Sequence, residues 1–356
     1  MKALALAFTF SLFLPAAAQA AMPASDVIGQ AIDGFIRPAY GDLAERTAAL
    51  EKSVEALCAT PSQASLDAAR DGFTQAAQGS AKVELIMFGP IREGNRLERM
   101  LFWPDRKSIG LKQVQAALAA KDPDATEAEK IARKSVAMQG FGALEYVLYG
   151  TDAEELATAD GAYRCAFGAA VAGNIAAISA DVRDDWNKPD GFAAIWASPG
   201  PDNLTYRNGS EAVTELMGVF INGLEMVRDV RLRGFLGLRP EKDKPKQALY
   251  WRSQGTTASL AANLEGLGGL FRASHLADAL SPDARWIAES IEIQFANGAE
   301  AARSVSGPIE EALDDPARRE KLDYLGTVTS SLSNLFGVRL SGEFGLTAGF
   351  SSLDGD

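Results

Sequence analysis

The sequence predicts an all-α protein, two helical bundles joined by one irregular stretch. Three observations predict it. Apolar residues recur at helical spacing along most of the chain, segments alternating apolar and polar residues over more than four positions are scarce, and turn formers cluster at one place near the middle. About 335 residues remain once an N-terminal leader is set aside, more than one core usually serves, so two domains are expected.

The leader comes first. Lys2, an apolar run over residues 3–14 and the small-x-small triplet Ala18-Gln19-Ala20 make the pattern of a secretory signal peptide, with cleavage expected after Ala20. The run is about a dozen residues, short of the roughly 20 that a helix needs to cross a bilayer, and no later stretch reads as a span. No cysteine follows it closely, so a lipid anchor has no candidate. A periplasmic protein without a transmembrane segment in its mature part is expected.

The helices follow in order. Over residues 41–60, Leu43, Leu50, Val54 and Leu57 form one apolar stripe that stops before Pro61. A second helix is expected over 62–89, capped by Ser62 or Ser65 and stopped by Gly89-Pro90. The third spans 91–102, ahead of Pro104. Thr126 starts another, with Glu129 completing a capping box, and it runs to Tyr149 before Gly150. Between 186 and 210 the composition shifts to Pro189, Gly191, Pro199, Gly200, Pro201, Asn203, Asn208 and Gly209. This bounds an N-terminal domain of residues 21–186, a linker of 187–209 and a C-terminal domain of 210–356. Helical patterning resumes over 211–232, 253–279, 283–304 and 317–335.

Charge and cysteine content narrow the function. The formal net charge is -12, and losing Lys2 with the leader makes it one unit more negative. Nucleic acid is thereby disfavoured, because its binding relies on clustered Lys and Arg. Cys58 and Cys165 would meet an oxidising compartment, where a disulfide between them is open to either answer.

Three segments carry a family resemblance: "FGPIREGNRLERMLFWPDRKSIG" at 88–110, "SVAMQGFGALEYVLYG" at 135–150 and "GLTAGFSSLDGD" at 345–356. Together, and in this order, they resemble the imelysin family of iron-regulated bacterial envelope proteins. The resemblance implies two helical-bundle domains packed around a central cleft where these segments meet. It also implies a Gly-x-His-x-x-Glu signature, the reason the family is catalogued with metallopeptidases. Here the segment reads Gly140-Phe141-Gly142-Ala143-Leu144-Glu145, with Gly142 in the histidine's place.

The candidate residues are weighed against that departure. Glu145 is the one metal-ligand candidate, and packing in a structural ion pair is its alternative. Arg92, Arg96, Arg99 and Trp103 fall at intervals of four, three and four, one face of a helix, which reads either as an anion site or as a solvated face. Arg252 and Ser253 precede a helix N-terminus that favours an anionic group. Gly255, Gly266, Gly268 and Gly269 fit close helix contacts better than a phosphate loop. The resemblance adds Asp354 to the ligand set of Arg96, Arg99, Trp103, Gly142, Glu145, Arg252 and Ser253. His275, the chain's one histidine, reads as a surface or interface residue.

A catalytic zinc needs three protein ligands and an open position. One histidine and two cysteines do not readily supply them, and no residue is assigned as catalytic. The leading expectation is a non-enzymatic periplasmic protein, linked to iron uptake, that binds a small ligand or metal ion between its domains. Iron or another divalent ion is the cofactor that the resemblance allows. The rivals are a metal-dependent peptidase and an adaptor for another envelope protein.

Overall fold

The computed structural model describes residues 23–346. The leader at 1–20 and Asp354 lie outside the described residues. Helix α1 (Ala24–Ala31) passes through a π-helical turn at Ile32–Ile36 into α2 (Arg37–Ala59). Leu43, Leu50, Val54 and Leu57 are all buried, so the stripe is the core face of α2. Ser62 caps α3 (Gln63–Val83): its hydroxyl accepts the Ser65 N–H while the Ser65 hydroxyl accepts the Ser62 N–H.

The structure departs from the expected helices where glycine and short polar residues offer the backbone another conformation. α3 ends at Val83 rather than at Gly89-Pro90, and the following turn puts Leu85 and Ile86 into the core. The helix expected over 91–102 does not form as one piece. A 3₁₀ segment, Gly89–Asn95, breaks at Gly94 and Asn95, both left-handed with φ of 57° and 55°. Only α4 (Arg96–Met100) follows, so Arg92, Arg96, Arg99 and Trp103 share no helical face.

α5 (Ile109–Ala120) comes next, and the single helix expected from Thr126 to Tyr149 is broken into α6 (Ala128–Ile131), a 3₁₀ turn (Val136–Met138) and α7 (Phe141–Tyr149). The Thr126 hydroxyl donates to the Pro123 carbonyl instead of capping a helix. The Ser135 hydroxyl accepts the Ala137 N–H, and Gly140 is extended. A Cβ on Gly140 would lie 2.1 Å from the Met100 carbonyl oxygen, so only glycine lets α7 start against α4.

α8 (Ala162–Asn187) runs through the N-terminal half. Among the described residues one helical stretch, Ala159–Ala197, is long and apolar enough to cross a membrane, contrary to the reading of the sequence, but its most apolar part is mostly buried inside the protein. The expected linker carries α9 (Phe192–Ala197), because its aromatics pack. Trp196 lies 4.9 Å from Phe88 between ring centroids, Phe192 lies 5.6 Å from Trp186, and both tryptophans are buried.

Asn208 caps α10 (Gly209–Glu225), which continues as a π segment, Met226–Leu232. The chain closes with α11 (Thr256–Ser274), α12 (Arg285–Arg303), α13 (Ile309–Asp314), α14 (Pro316–Asn334), a π segment (Leu335–Leu340) and α15 (Ser341–Glu343). No strand occurs among the described residues.

α2 packs on α3 and α8, α11 packs on α12 and α3, and α1 reaches across to α10 and α11. Buried apolar residues from both halves form one continuous cluster. The α3–α11 crossing is close because Gly266 meets the Lys82 carbonyl, where a Cβ would sit 2.0 Å away. Gly268 and Gly269 lie similarly against Phe295 and Phe35, as expected of helix contacts.

Cys58 on α2 and Cys165 on α8 are joined by a disulfide, with Cα atoms 5.5 Å apart. The bond closes a separation of 107 residues. Replacing both cysteines by serine should lower the unfolding free energy by about 4–5 kcal/mol, read by denaturant titration. An unchanged midpoint would mean that the unfolded chain gains no freedom from the loss. Gly266→Ala should be destabilising by at least ~1–3 kcal/mol in the same assay, because the obstructing atom is backbone and cannot swing aside.

Candidate functional site

α7 is apolar on nearly every side. Phe141, Leu144, Val147 and Leu148 are buried, and Glu145 is the one acidic residue among them, itself only 4% exposed. A buried carboxylate is costly without hydrogen bonds. They come from Ser253, 108 residues later: its backbone N–H and its hydroxyl donate to the same oxygen, Oε1, at 3.0 and 2.8 Å. The turn that presents Ser253 is tight, with Tyr250 and Gln254 left-handed and the Gly255 N–H donating to the Tyr250 carbonyl at 2.9 Å. Burial pushes the Glu145 carboxyl above its ordinary value near 4.5, while the Ser253 bonds and the Arg252 charge pull it down.

Arg252 flanks this pair. Its guanidinium lies 4.4 Å from the Trp251 ring centroid and 5.3 Å from that of Tyr146. Burial presses its pKa downward, opposed by the nearby Glu145 and Tyr146.

These groups face a cavity of about 370 Å³ to which both halves of the chain contribute, with Trp103, Gly142, Glu145, Tyr146, Trp251 and Arg252 in its wall. A Cβ on Gly142 would meet no atom within 4 Å. The position is open. A larger cavity, of about 480 Å³, lies between α3 and α11 beside Arg46, Lys82 and Arg303 and includes none of the residues singled out in the sequence. The smaller one is the better candidate, because it alone holds the buried carboxylate.

The structure therefore brings together five of the sequence candidates: Trp103, Gly142, Glu145 and Arg252 in the wall, with Ser253 behind Glu145. It does not bring Arg96 and Arg99 there. Arg96 donates to Asp185 at 2.6 Å and to the Pro90 carbonyl, and Arg99 donates to Gln139 and Asn174, both at 2.8 Å. Both arginines tie α4 to α8 instead of facing the cavity. Trp103 is backed by Arg231, whose guanidinium lies 4.9 Å from the ring and is paired with Glu84. Sequence reasoning passed over Tyr146, Arg106 and Lys246. Tyr146 had a signal, since it stands four residues after Gly142 on the same helical face; the two basic residues had none.

Among the described residues the donor set does not fit a metal ion, since no three His, Cys, Asp or Glu side chains converge. A cation at Glu145 would find one carboxylate, already hydrogen-bonded, beside the positive Arg252. His275 ends α11 at the surface, 2.9 Å from Asp278, and both cysteines are in the disulfide.

Comparison with known proteins then places the chain. The family model described as Imelysin matches residues 36–335. The chain belongs to the Imelysin family. Iron-regulated protein A of Synechococcus elongatus is 23% identical over 321 residues, 86% of this chain and 84% of that protein. An Imelysin-like protein from Psychrobacter arcticum 273-4 superposes with a TM-score of 0.74 at 20% identity, covering 92% of this chain and 98% of that one. An iron-regulated protein A precursor from Parabacteroides distasonis ATCC 8503 gives 0.74 at 16% identity, covering 93% and 98%. These structures establish the all-α Imelysin-like fold, and the sequence resemblance is borne out.

The raised carboxyl has a testable sign. The folded state holds the Glu145 proton more tightly than the unfolded chain does. Its contribution is full below about pH 4.5 and is lost as pH rises through the higher folded value. Glu145→Gln keeps an oxygen acceptor for Ser253 and lacks this loss, so the variant should gain stability relative to the parent between pH 4.5 and neutrality. Denaturant unfolding at both pH values measures it. A parent that gains on the variant as pH rises would show that Ser253 and Arg252 outweigh burial.

Proposed function

We propose that this Imelysin-family protein is an exported, non-catalytic binding protein of the cell envelope, linked to iron uptake, that holds a small ligand in the Glu145 cavity. The observation that carries the reading is the cavity itself. Two chain segments far apart in sequence converge on one buried carboxylate and leave open space at Gly142. The secretory pattern at 1–20, the Cys58–Cys165 disulfide and a relative named as a precursor support export. The names of two relatives as iron-regulated protein A support the link to iron.

A small ligand is favoured over a bare metal ion because, among the described residues, no three metal-ligating side chains converge and Glu145 stands beside a cation. The same point weighs against a metal-dependent peptidase. An adaptor role would have to use the helical faces outside this cavity.

Protein recovered from the periplasmic fraction should begin at Ala21 or within a residue or two of it by N-terminal sequencing, and native mass spectrometry should find a small molecule that leaves on denaturation. It should bind zinc weakly by calorimetric titration and hydrolyse no peptide in a chelator-sensitive way. Gly142→His would place an imidazole one helical turn from Glu145 and should raise zinc affinity roughly tenfold or more. Tight zinc binding by the parent, or proteolysis stopped by a chelator, would overturn the reading in favour of the peptidase.

A further inference from the structure

We propose that the cavity at Glu145 receives a small organic anion, a carboxylate on a flat unsaturated body, with Arg252 as its anchor. This rests on reading the cavity as a ligand site and adds the ligand's chemical class. Three cations and three acids border the space: Arg106, Lys246 and Arg252 against Asp105, Asp229 and Glu145. What separates them is how each is already engaged.

The acids are committed. Asp105 accepts the N–H groups of Ile109, Gly110 and Leu111 at 2.6, 2.8 and 3.3 Å, serving the start of α5. Asp229 is bridged by Arg228 at 2.6 Å. Glu145 takes both donors of Ser253.

The cations are not. Among the described residues, none of the three lies within ion-pair distance of a carboxylate, and the Arg252 guanidinium makes no hydrogen bond. Arg252 and Lys246 have aromatic contacts instead, Lys246 5.9 Å from the Trp251 ring. The cation–π contacts with Trp251 and Tyr146 restrain the guanidinium without using its N–H donors, which remain for a fork that matches a carboxylate.

The flat body follows from the walls. Phe102, Trp103, Tyr146, Tyr250 and Trp251 are the aromatic residues that line the cavity, and a planar unsaturated ligand can stack where an aliphatic one cannot. Elsewhere the protein is acidic, with a formal net charge of -12, so an anion would be drawn to this pocket rather than to the surface at large.

Three probes of one shape separate charge from fit: benzoate, neutral benzamide and cationic benzamidine. Calorimetry and tryptophan emission on the full mature protein read their binding, since Trp103 and Trp251 border the cavity. Benzoate should bind at least tenfold more tightly than either analogue, and its affinity should fall as salt is raised. Arg252→Gln should weaken benzoate by roughly ten- to a hundredfold, and Arg252→Lys should weaken it less. Matched melting curves check that the variants fold, and the salt series on the parent stands without them. Benzamide or benzamidine binding as well as benzoate would overturn the anion class and leave the cavity a ligand site. Absence of binding by all three would overturn the class too, while the co-purified molecule separately decides whether the cavity holds a ligand.

Discussion

The hydrogen bonds from Ser253 to Glu145 are the constraint around which the rest of the structure is arranged. Glu145 stands on a helix whose other faces are core, so α7 cannot be buried without burying a carboxylate. Leaving that group unpartnered would cost several kcal/mol, a sizeable part of the ~5–15 kcal/mol by which a domain is stable. Its donors lie in the tight turn ahead of α11, so the two halves must dock in one register to supply them. Gly140 and Gly266 make that docking sterically feasible: one lets α7 begin against the α4 carbonyls, the other lets α11 cross α3 at backbone contact. The cavity is what remains open beside this junction.

Gly142 bears on the chemistry of the junction as well as on its shape. Gly142 leaves the helix face toward the cavity bare, and the nearest charged group to Glu145 is a cation rather than a second metal donor. The Imelysin fold is thus retained around a centre whose polar groups suit hydrogen bonding better than metal coordination. Arg231 behind Trp103 and Arg252 between two rings show the same theme of guanidinium groups held by aromatic faces. Such contacts restrain both side chains, and Arg231 is in addition ion-paired with Glu84.

Much of the fold was legible because helices are written in local periodicity. The stripe from Leu43 to Leu57, the Ser62 cap and the Asn208 turn act within a few residues of themselves, and the corresponding helices formed. Errors arose where a neighbour distant in sequence decides the backbone. The apolar period runs on through Gly94-Asn95 and Gly140, but these residues readily leave the helical conformation, and at Gly140 the approach of the Met100 carbonyl requires it. The segment at 187–209 looked like a linker by composition, yet Phe192 and Trp196 have an aromatic cluster to join, and that cluster is assembled only in space.

By itself the sequence determined the all-α class, the family and the acidic character, and it singled out Glu145 as a candidate, because each is carried by composition, short-range pattern or a contiguous motif. Only the tertiary structure decided which candidates share a site. Arg96 and Arg99 had the spacing of a ligand-binding face and went to Asp185, Gln139 and Asn174, while Lys246 and Arg106, in unpatterned segments, came to the cavity. The pairing of Cys58 with Cys165 was settled in the same way, by two helices 107 residues apart coming within 5.5 Å at their Cα atoms. Spacing along a chain predicts neighbours within one helix. The partners of a charged side chain are chosen by burial and hydrogen-bond satisfaction between helices, and those distances are not written in any one segment.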